Sequence, residues 1–220
     1  MTTCFPRGLY GITPEWDDTP RLLAAIEAAA AGGMTALQWR RKQIPDELKR
    51  EQAAQVVALC RRLGVISIIN DDPLLALQVG ADGVHLGRDD GDIARARRQL
   101  GEQLLIGASC YNELPRAEHA LQEGADYVAF GAMFASSVKP HAVKASTETV
   151  SAGRTLVNRF QRAGKRPAVV TIGGITPDNA PQVIQAGADC IAVITALFTG
   201  PAEQIKTAAQ RYSEQFTART

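Results

Sequence analysis

The chain has 220 residues, 45% of them hydrophobic and 21% charged, which is the composition of an ordinary globular protein and excludes a disordered or fibrous one. Its 24 basic and 23 acidic side chains leave a formal charge of +1, so overall charge favours neither nucleic acid nor an anionic membrane, and any basic site must be local. The longest run without Asp, Glu, Lys or Arg, from Cys190 to Ala202, falls well short of the roughly 20 apolar residues that span a bilayer, which excludes a transmembrane helix.

Met1 to Tyr10 has no basic region followed by a long apolar run, so no secretory signal is expected and the chain reads as cytoplasmic. Short apolar runs then alternate with amphipathic segments. A strand at Leu9 to Thr13 precedes a helix at Arg21 to Ala31, a strand at Leu37 to Arg40 precedes a helix at Asp46 to Leu63, and a strand at Ile66 to Asn70 precedes a helix at Pro73 to Val79. The pattern continues with strands at Val84 to Leu86, Leu104 to Ala108 and Tyr127 to Phe130, followed by helices at Ile93 to Leu100, Leu114 to Glu123 and Thr147 to Ala163. It ends with strands at Ala168 to Ile172 and Ile191 to Ile194, followed by helices at Pro177 to Gln185 and Pro201 to Tyr212.

The same heptapeptide pattern recurs at Gly80-Ala81-Asp82-Gly83-Val84-His85-Leu86, at Gly124 to Phe130 and at Gly187 to Val193, with a weaker copy at Gly32-Gly33-Met34. In each copy a glycine suited to a helix C-terminus precedes a short apolar strand, so the repeat marks a βα unit. Strict alternation implies a parallel sheet, and uniformly apolar strands such as Ala168 to Ile172 imply cover on both faces. Eight units close naturally into an α/β single-domain (β/α)8 TIM barrel over residues 1–220, with an open doubly wound sheet as the alternative. Cys4, Cys60, Cys110 and Cys190 are far apart, with no CxxC pair, and read as small hydrophobes in a reducing compartment rather than as disulfides or zinc ligands.

In such a barrel the site lies at the C-terminal ends of the strands, so polar residues there require an explanation. Gln38, Arg40 and Lys42 fall on one side of an extended chain, where a planar guanidinium and a point charge suit a phosphate or pyrophosphate; a solvated basic turn is the plain alternative. Asn70-Asp71-Asp72-Pro73 and the neighbouring Gly87 to Asp90 bring carboxylates to adjacent strand ends, as a Mg²⁺ shared with a polyphosphate requires, although Asp71 or Asp72 could instead cap the next helix. His85, inside a strand, reads as a packed, hydrogen-bonded residue. The Ser-rich stretch from Gly131 to His141 carries Lys139, and Gly173-Gly174 with Ile194-Thr195 supplies bare backbone at the place where these barrels hold a monophosphate. Two anion corners in one mouth imply two phosphorylated substrates or one bisphosphate. No Ser-His-Asp arrangement or strand lysine suggests covalent catalysis, which favours chemistry by positioning and charge stabilisation.

Taken in order, Gln38-x-Arg40-x-Lys42, Asn70-Asp71, Gly83 to Gly87 with Asp90, the loop ending in Lys139 and Ile172-Gly173-Gly174-Ile175 resemble the thiamine phosphate synthase family over nearly the whole chain. The resemblance implies condensation of hydroxymethylpyrimidine diphosphate with hydroxyethylthiazole phosphate, with Mg²⁺ as cofactor and thiamine monophosphate and pyrophosphate as products. It assigns Gln38, Arg40, Lys42, Asn70 and Lys139 to the pyrimidine diphosphate and Asp71 and Asp90 to Mg²⁺. Ser109 and Lys139 would act near the reacting centre, and Ser136, Gly174, Ile194 and Thr195 would hold the thiazole phosphate. The implied chemistry is a dissociative substitution.

The chain departs from the family's commonest pattern at Arg41, Arg88, Ala132, Ala135 and Val138. A thiazole tautomerase of the same fold, which needs no diphosphate corner, and a non-catalytic sensor of phosphorylated ligands are the competing functions. The expected partners are small phosphorylated molecules, with no nucleic acid and no membrane. The oligomeric state is left open, a homo-oligomer included.

Overall fold

The computed structural model describes residues 2–134, 144–162 and 164–217. Its strands are β1 (Thr2–Thr3), β2 (Gly8–Ile12), β3 (Met34–Trp39), β4 (Ile66–Asn70), β5 (Gly83–Leu86), β6 (Leu105–Tyr111), β7 (Tyr127–Phe130), β8 (Lys165–Arg166), β9 (Ala168–Ile172) and β10 (Cys190–Val193). The helices are α1 (Thr19–Ala31), α2 (Asp46–Leu63), α3 (Pro73–Val79), α4 (Ile93–Leu100), α5 (Leu114–Gln122), α6 (Thr147–Val157), α7 (Ala180–Ala186) and α8 (Ala202–Thr217). Eight parallel strands close into a barrel in the order β10-β2-β3-β4-β5-β6-β7-β9, so the closed TIM barrel is the observed fold and the open sheet is excluded.

Alternation along each strand divides the core into two clusters. Val84, Ile106, Val128, Val169 and Ile191 face outward into a large cluster shared with the helices. Tyr10, Ala36, Ile68, Tyr127, Val170 and Ala192 face inward and fill the barrel with Phe5. No helix among the described residues is long and apolar enough to cross a membrane.

The repeated Gly-Ala-Asp has a physical reason in this geometry. Gly80 and Gly187 close α3 and α7 in left-handed conformations (φ 65° and 117°) that side chains disfavour. The Asp that follows joins three strands. Asp126 donates its amide to Ile106 O (2.7 Å), accepts from Ala168 N (3.0 Å) through its carbonyl, and accepts from Ile106 N (2.8 Å) through its carboxylate. Asp82 makes the same three bonds with Ser67 and Leu105, and Asp189 with Val169 and Gly8. The repeat therefore ties together the N-terminal ends of the strands, at the far end of the barrel from the predicted site.

The eight expected barrel strands and eight helices are all present, but several ends differ: β3 begins at Met34 rather than Leu37, α8 continues to Thr217 rather than ending at Tyr212, and α6 stops at Val157 rather than Ala163, where Arg162 turns back to bridge Lys165. β6 runs three residues beyond Ala108 because a bulge between Ser109 and Tyr111 lets pairing with β7 continue. α7 begins at Ala180, later than Pro177, because Thr176 and Asn179 exchange hydrogen bonds (2.8 and 3.3 Å) in a preceding turn. The pair formed by β1 and β8 was not anticipated; with two residues per strand it carries no periodicity to read.

Candidate active site

At the C-terminal end of β3, Gln38 is buried, whereas Arg40 and Lys42 lie towards the solvent side of the mouth. Thr13 pins this end to β2, accepting from Arg40 N (2.9 Å) and donating to Arg40 O (3.3 Å). The Arg40 guanidinium pairs with Glu15 (3.1 Å), whose carboxylate also accepts from Lys42 N (3.2 Å). Arg41, on the opposite side of the strand, is buried. It bonds Trp16 O, Asp17 and Gln52 and so fastens the β2–α1 loop against α2, which gives this departure from the family pattern a structural role.

The carboxylates meet at the ends of β4 and β5. Lys42 Nζ lies 3.8 Å from Asp71, which joins the basic corner to the acidic one. Asp71 has a left-handed backbone (φ 62°), an uncommon conformation for a side-chain-bearing residue, and its amide donates to His85 O (2.8 Å). Its carboxyl accepts from Asn70 Nδ2 and is held above the usual range, first by burial and then by the nearby Asp90 carboxylate. Gly87 leaves room for this pair, since a methyl there would strike Asp90. Asp72 has the other task foreseen for an Asp here: it caps α3 by accepting from Leu75 N (2.9 Å) and pairs with Lys49 (2.7 Å). Against its burial, these bonds hold the Asp72 carboxyl below the usual range.

Arg88 departs from the family pattern without leaving the mouth. Its guanidinium covers the Tyr111 ring at 4.7 Å and pairs with Glu113, joining the loop that carries Asp90 to the end of β6. Among the described residues no group of three or more His, Cys, Asp or Glu could hold a metal ion unaided. A cation at Asp71 and Asp90 would complete its shell with water and ligand oxygens, the usual situation for Mg²⁺.

Ser109 lies at the bulge of β6, so it belongs to the strand rather than to a following loop. Its Oγ is 2.9 Å from His85 Nε2, and His85 Nδ1 is 3.0 Å from Tyr127 Oη. His85 is therefore packed and bonded, as its place in the strand implied, and burial lowers its pKa to about 4 against an opposing pull from Asp90. Tyr127 Oη is in turn 2.9 Å from Tyr10 Oη, which accepts from Gln38 Nε2 at 2.8 Å. Neither tyrosine was singled out from the sequence. The available signal was a phenol at an inward position of a barrel strand, where a branched aliphatic side chain is the default.

On the other side of the mouth, Gly173 and Gly174 take φ of 102° and 64°, which keeps this turn free of side chains. Gly174 O accepts from Asn179 Nδ2 (3.0 Å), and Phe134 N donates to Gly173 O (2.9 Å), so the chain leaving β7 lies along this turn. Ile194 O accepts from the amides of Leu197 and Phe198 (3.1 and 3.0 Å), leaving Thr195 exposed at the rim. Ser136, Lys139, Ala135 and Val138 lie outside the described residues.

A basic corner joined to paired carboxylates faces a glycine turn across one barrel mouth, and known proteins of similar sequence carry a description that fits it. The family model described as thiamine monophosphate synthase matches residues 9–197. The thiamine-phosphate synthases of Bordetella pertussis and Bordetella avium are 57% and 53% identical over 216 and 215 residues, covering 98% of this chain and 98% and 97% of theirs. Among solved structures, thiamine phosphate pyrophosphorylase from Pyrococcus furiosus superposes with a TM-score of 0.80 at 31% identity, covering 96% of each chain. The match spans every strand end described above, and on it this chain belongs to the thiamine monophosphate synthase family.

Proposed function

We propose that this protein is a thiamine phosphate synthase, a transferase that joins hydroxymethylpyrimidine diphosphate to hydroxyethylthiazole phosphate, and that residues 1–220 work as one unit in the cytoplasm. The observation that carries the reading is the joined corner at Lys42, Asp71 and Asp90, where cation and carboxylates meet within one mouth. A thiazole tautomerase needs no such diphosphate corner. In the reaction the bond between the pyrimidine methylene carbon and the diphosphate oxygen breaks and pyrophosphate keeps the electron pair. The aminopyrimidine spreads the positive charge left behind, and the thiazole nitrogen donates its lone pair to form the new C–N bond.

Each corner has a part in that sequence. Arg40 and Lys42, with Lys139, balance the charge of the diphosphate, Gln38 and Asn70 orient the pyrimidine, and Ser109 meets the substrates near the reacting carbon. Gly174, Ile194 and Thr195, with Ser136, hold the thiazole phosphate on the opposite side, facing its nitrogen towards the vacated bond. Asp71 and Asp90 fit Mg²⁺, being two neighbouring hard oxygen donors, with the Asp71 carboxyl raised first by burial and then by the Asp90 charge. Bound there, the ion would supply charge neutralisation for the departing pyrophosphate. No nucleophilic side chain is needed.

The test is a turnover assay on the purified protein with both phosphorylated substrates and Mg²⁺, following thiamine monophosphate and pyrophosphate together. Equal release of the two, stopped by a chelator and restored by Mg²⁺, is the expected result. Absence of product with thiazole phosphate still bound in a titration would overturn the synthase reading in favour of a tautomerase or a sensor. Product formation unaffected by chelation would overturn the metal assignment alone.

A further inference from the structure

A TIM-barrel interior is ordinarily filled by branched apolar side chains. Here inward positions carry polar side chains that are almost fully enclosed, among them, beside Gln38, Tyr10 (1% exposed), Tyr127 (0%) and His85 (8%). Buried polar groups without partners are strongly unfavourable, and their retention calls for a purpose. These three form one line. Gln38 Nε2, Tyr10 Oη, Tyr127 Oη, His85 and Ser109 Oγ are joined by contacts of 2.8, 2.9, 3.0 and 2.9 Å, running from the end of β3 to the end of β6 across the barrel. The fold makes space for it at Gly107, where any side chain would overlap the Tyr127 ring. Phe5 packs against both phenol rings, at centroid distances of 5.0 and 4.3 Å, and holds them in place.

Proton counting gives the line a direction. Gln38 Nε2 can only donate, so Tyr10 Oη accepts there and passes its single proton to Tyr127 Oη. Tyr127 then gives its proton to His85 Nδ1, which must be the bare nitrogen. A neutral imidazole with a bare Nδ1 carries its proton on Nε2, so His85 donates to Ser109 Oγ. Ser109 keeps its own hydroxyl proton for whatever enters the mouth. Reversing the chain would bring the Tyr10 proton against the Gln38 amide protons.

We propose that Tyr10, Tyr127 and His85 are positioning residues, a one-way hydrogen-bond chain that fixes the Gln38 amide at one end and presents Ser109 as a hydrogen-bond donor to the substrate at the other. The inference rests on the synthase reading for what meets its two ends. Fixed at both ends through a close-packed interior, the two substrate-facing groups need no reorientation when the reacting charge develops.

The experiment combines histidine 15N NMR of the whole protein with steady-state kinetics of Tyr127→Phe and Tyr10→Phe. In the wild type His85 is expected as the Nε2–H tautomer at neutral pH. Tyr127→Phe should give a mixture of tautomers, with kcat down about tenfold and KM for the thiazole phosphate unchanged. Tyr10→Phe should retain the His85 tautomer while raising KM for the pyrimidine diphosphate about tenfold, because it frees Gln38. An Nδ1–H tautomer in the wild type overturns the proposal, and so do wild-type kcat and KM in both variants. If Tyr127→Phe fails to fold, the wild-type spectrum and Tyr10→Phe decide. A wild-type protein that makes no thiamine phosphate counts against the synthase reading, while the spectrum still decides the direction of the chain.

Discussion

His85 links the stability of the barrel to pH, because the folded protein holds it neutral. Burial lowers its pKa from 6.5 to about 4, so between those values the unfolded chain takes up a proton that the folded one refuses. Stability from this residue is complete above pH 6.5 and falls as pH drops towards 4; the loss amounts to about 2 kcal/mol by pH 5. Urea unfolding at pH 7 and pH 5 checks it: the wild type should lose about 2 kcal/mol more than His85→Gln, and equal losses would refute it. The neighbouring Gly107 gives a steric prediction. Gly107→Ala places a methyl on the Tyr127 ring and should destabilise by about 1 to 3 kcal/mol, read from the urea midpoint. These residues also show where sequence reading stops. Gln38, Asp71 and Asp90 were legible because charged or amide groups at strand ends have no packing reason to be there. Tyr10 and Tyr127 were not, since a tyrosine in a strand satisfies the apolar pattern with its ring and hides the hydroxyl that matters.

Elements were legible wherever a period could be read, and the repeat was the strongest signal of all. What the repeat does was hidden, because Asp82, Asp126 and Asp189 look alike in sequence while their surroundings differ. Asp189 is buried between Arg166 (2.6 Å) and Arg154 (2.8 Å) and caps Val169 N, so it ties β9, β10 and β2 together and carries barrel closure. Asp82 is exposed and, among the described residues, hydrogen-bonds Ser67 and Leu105. Asp189→Ala should therefore destabilise by about 3 to 5 kcal/mol, because it strands Arg166 in the interior. Asp82→Ala should cost about 1 kcal/mol, the worth of a capping bond. Thermal melts of the two variants side by side measure the difference, and equal losses would mean that the carboxylate caps, rather than the buried ion pairs, carry closure.

At the scale of the whole molecule, the two ends of the barrel divide the labour: aspartates stitch the strands at one end, and the other is left to hold charge. The mouth gathers carboxylates at Asp71 and Asp90 beside cations at Arg40 and Lys42, so an anion and a cation entering it together each meet charge of the opposite sign. Pyrophosphate and Mg²⁺ should consequently stabilise the protein as a pair far more than either does alone, since each removes the repulsion that opposes the other. A ligand present at about a hundred times its Kd adds about 2.7 kcal/mol, which for a chain of this size raises Tm by about 5 to 10 °C. A melting titration with pyrophosphate, Mg²⁺ and both together measures the coupling. The shift with both should exceed the sum of the separate shifts, and Asp71→Asn with Asp90→Asn should reduce it to that sum without lowering the ligand-free Tm. Additive shifts in the wild type would mean that the basic corner and the carboxylates bind independently, and the joined corner would lose its meaning as one diphosphate site.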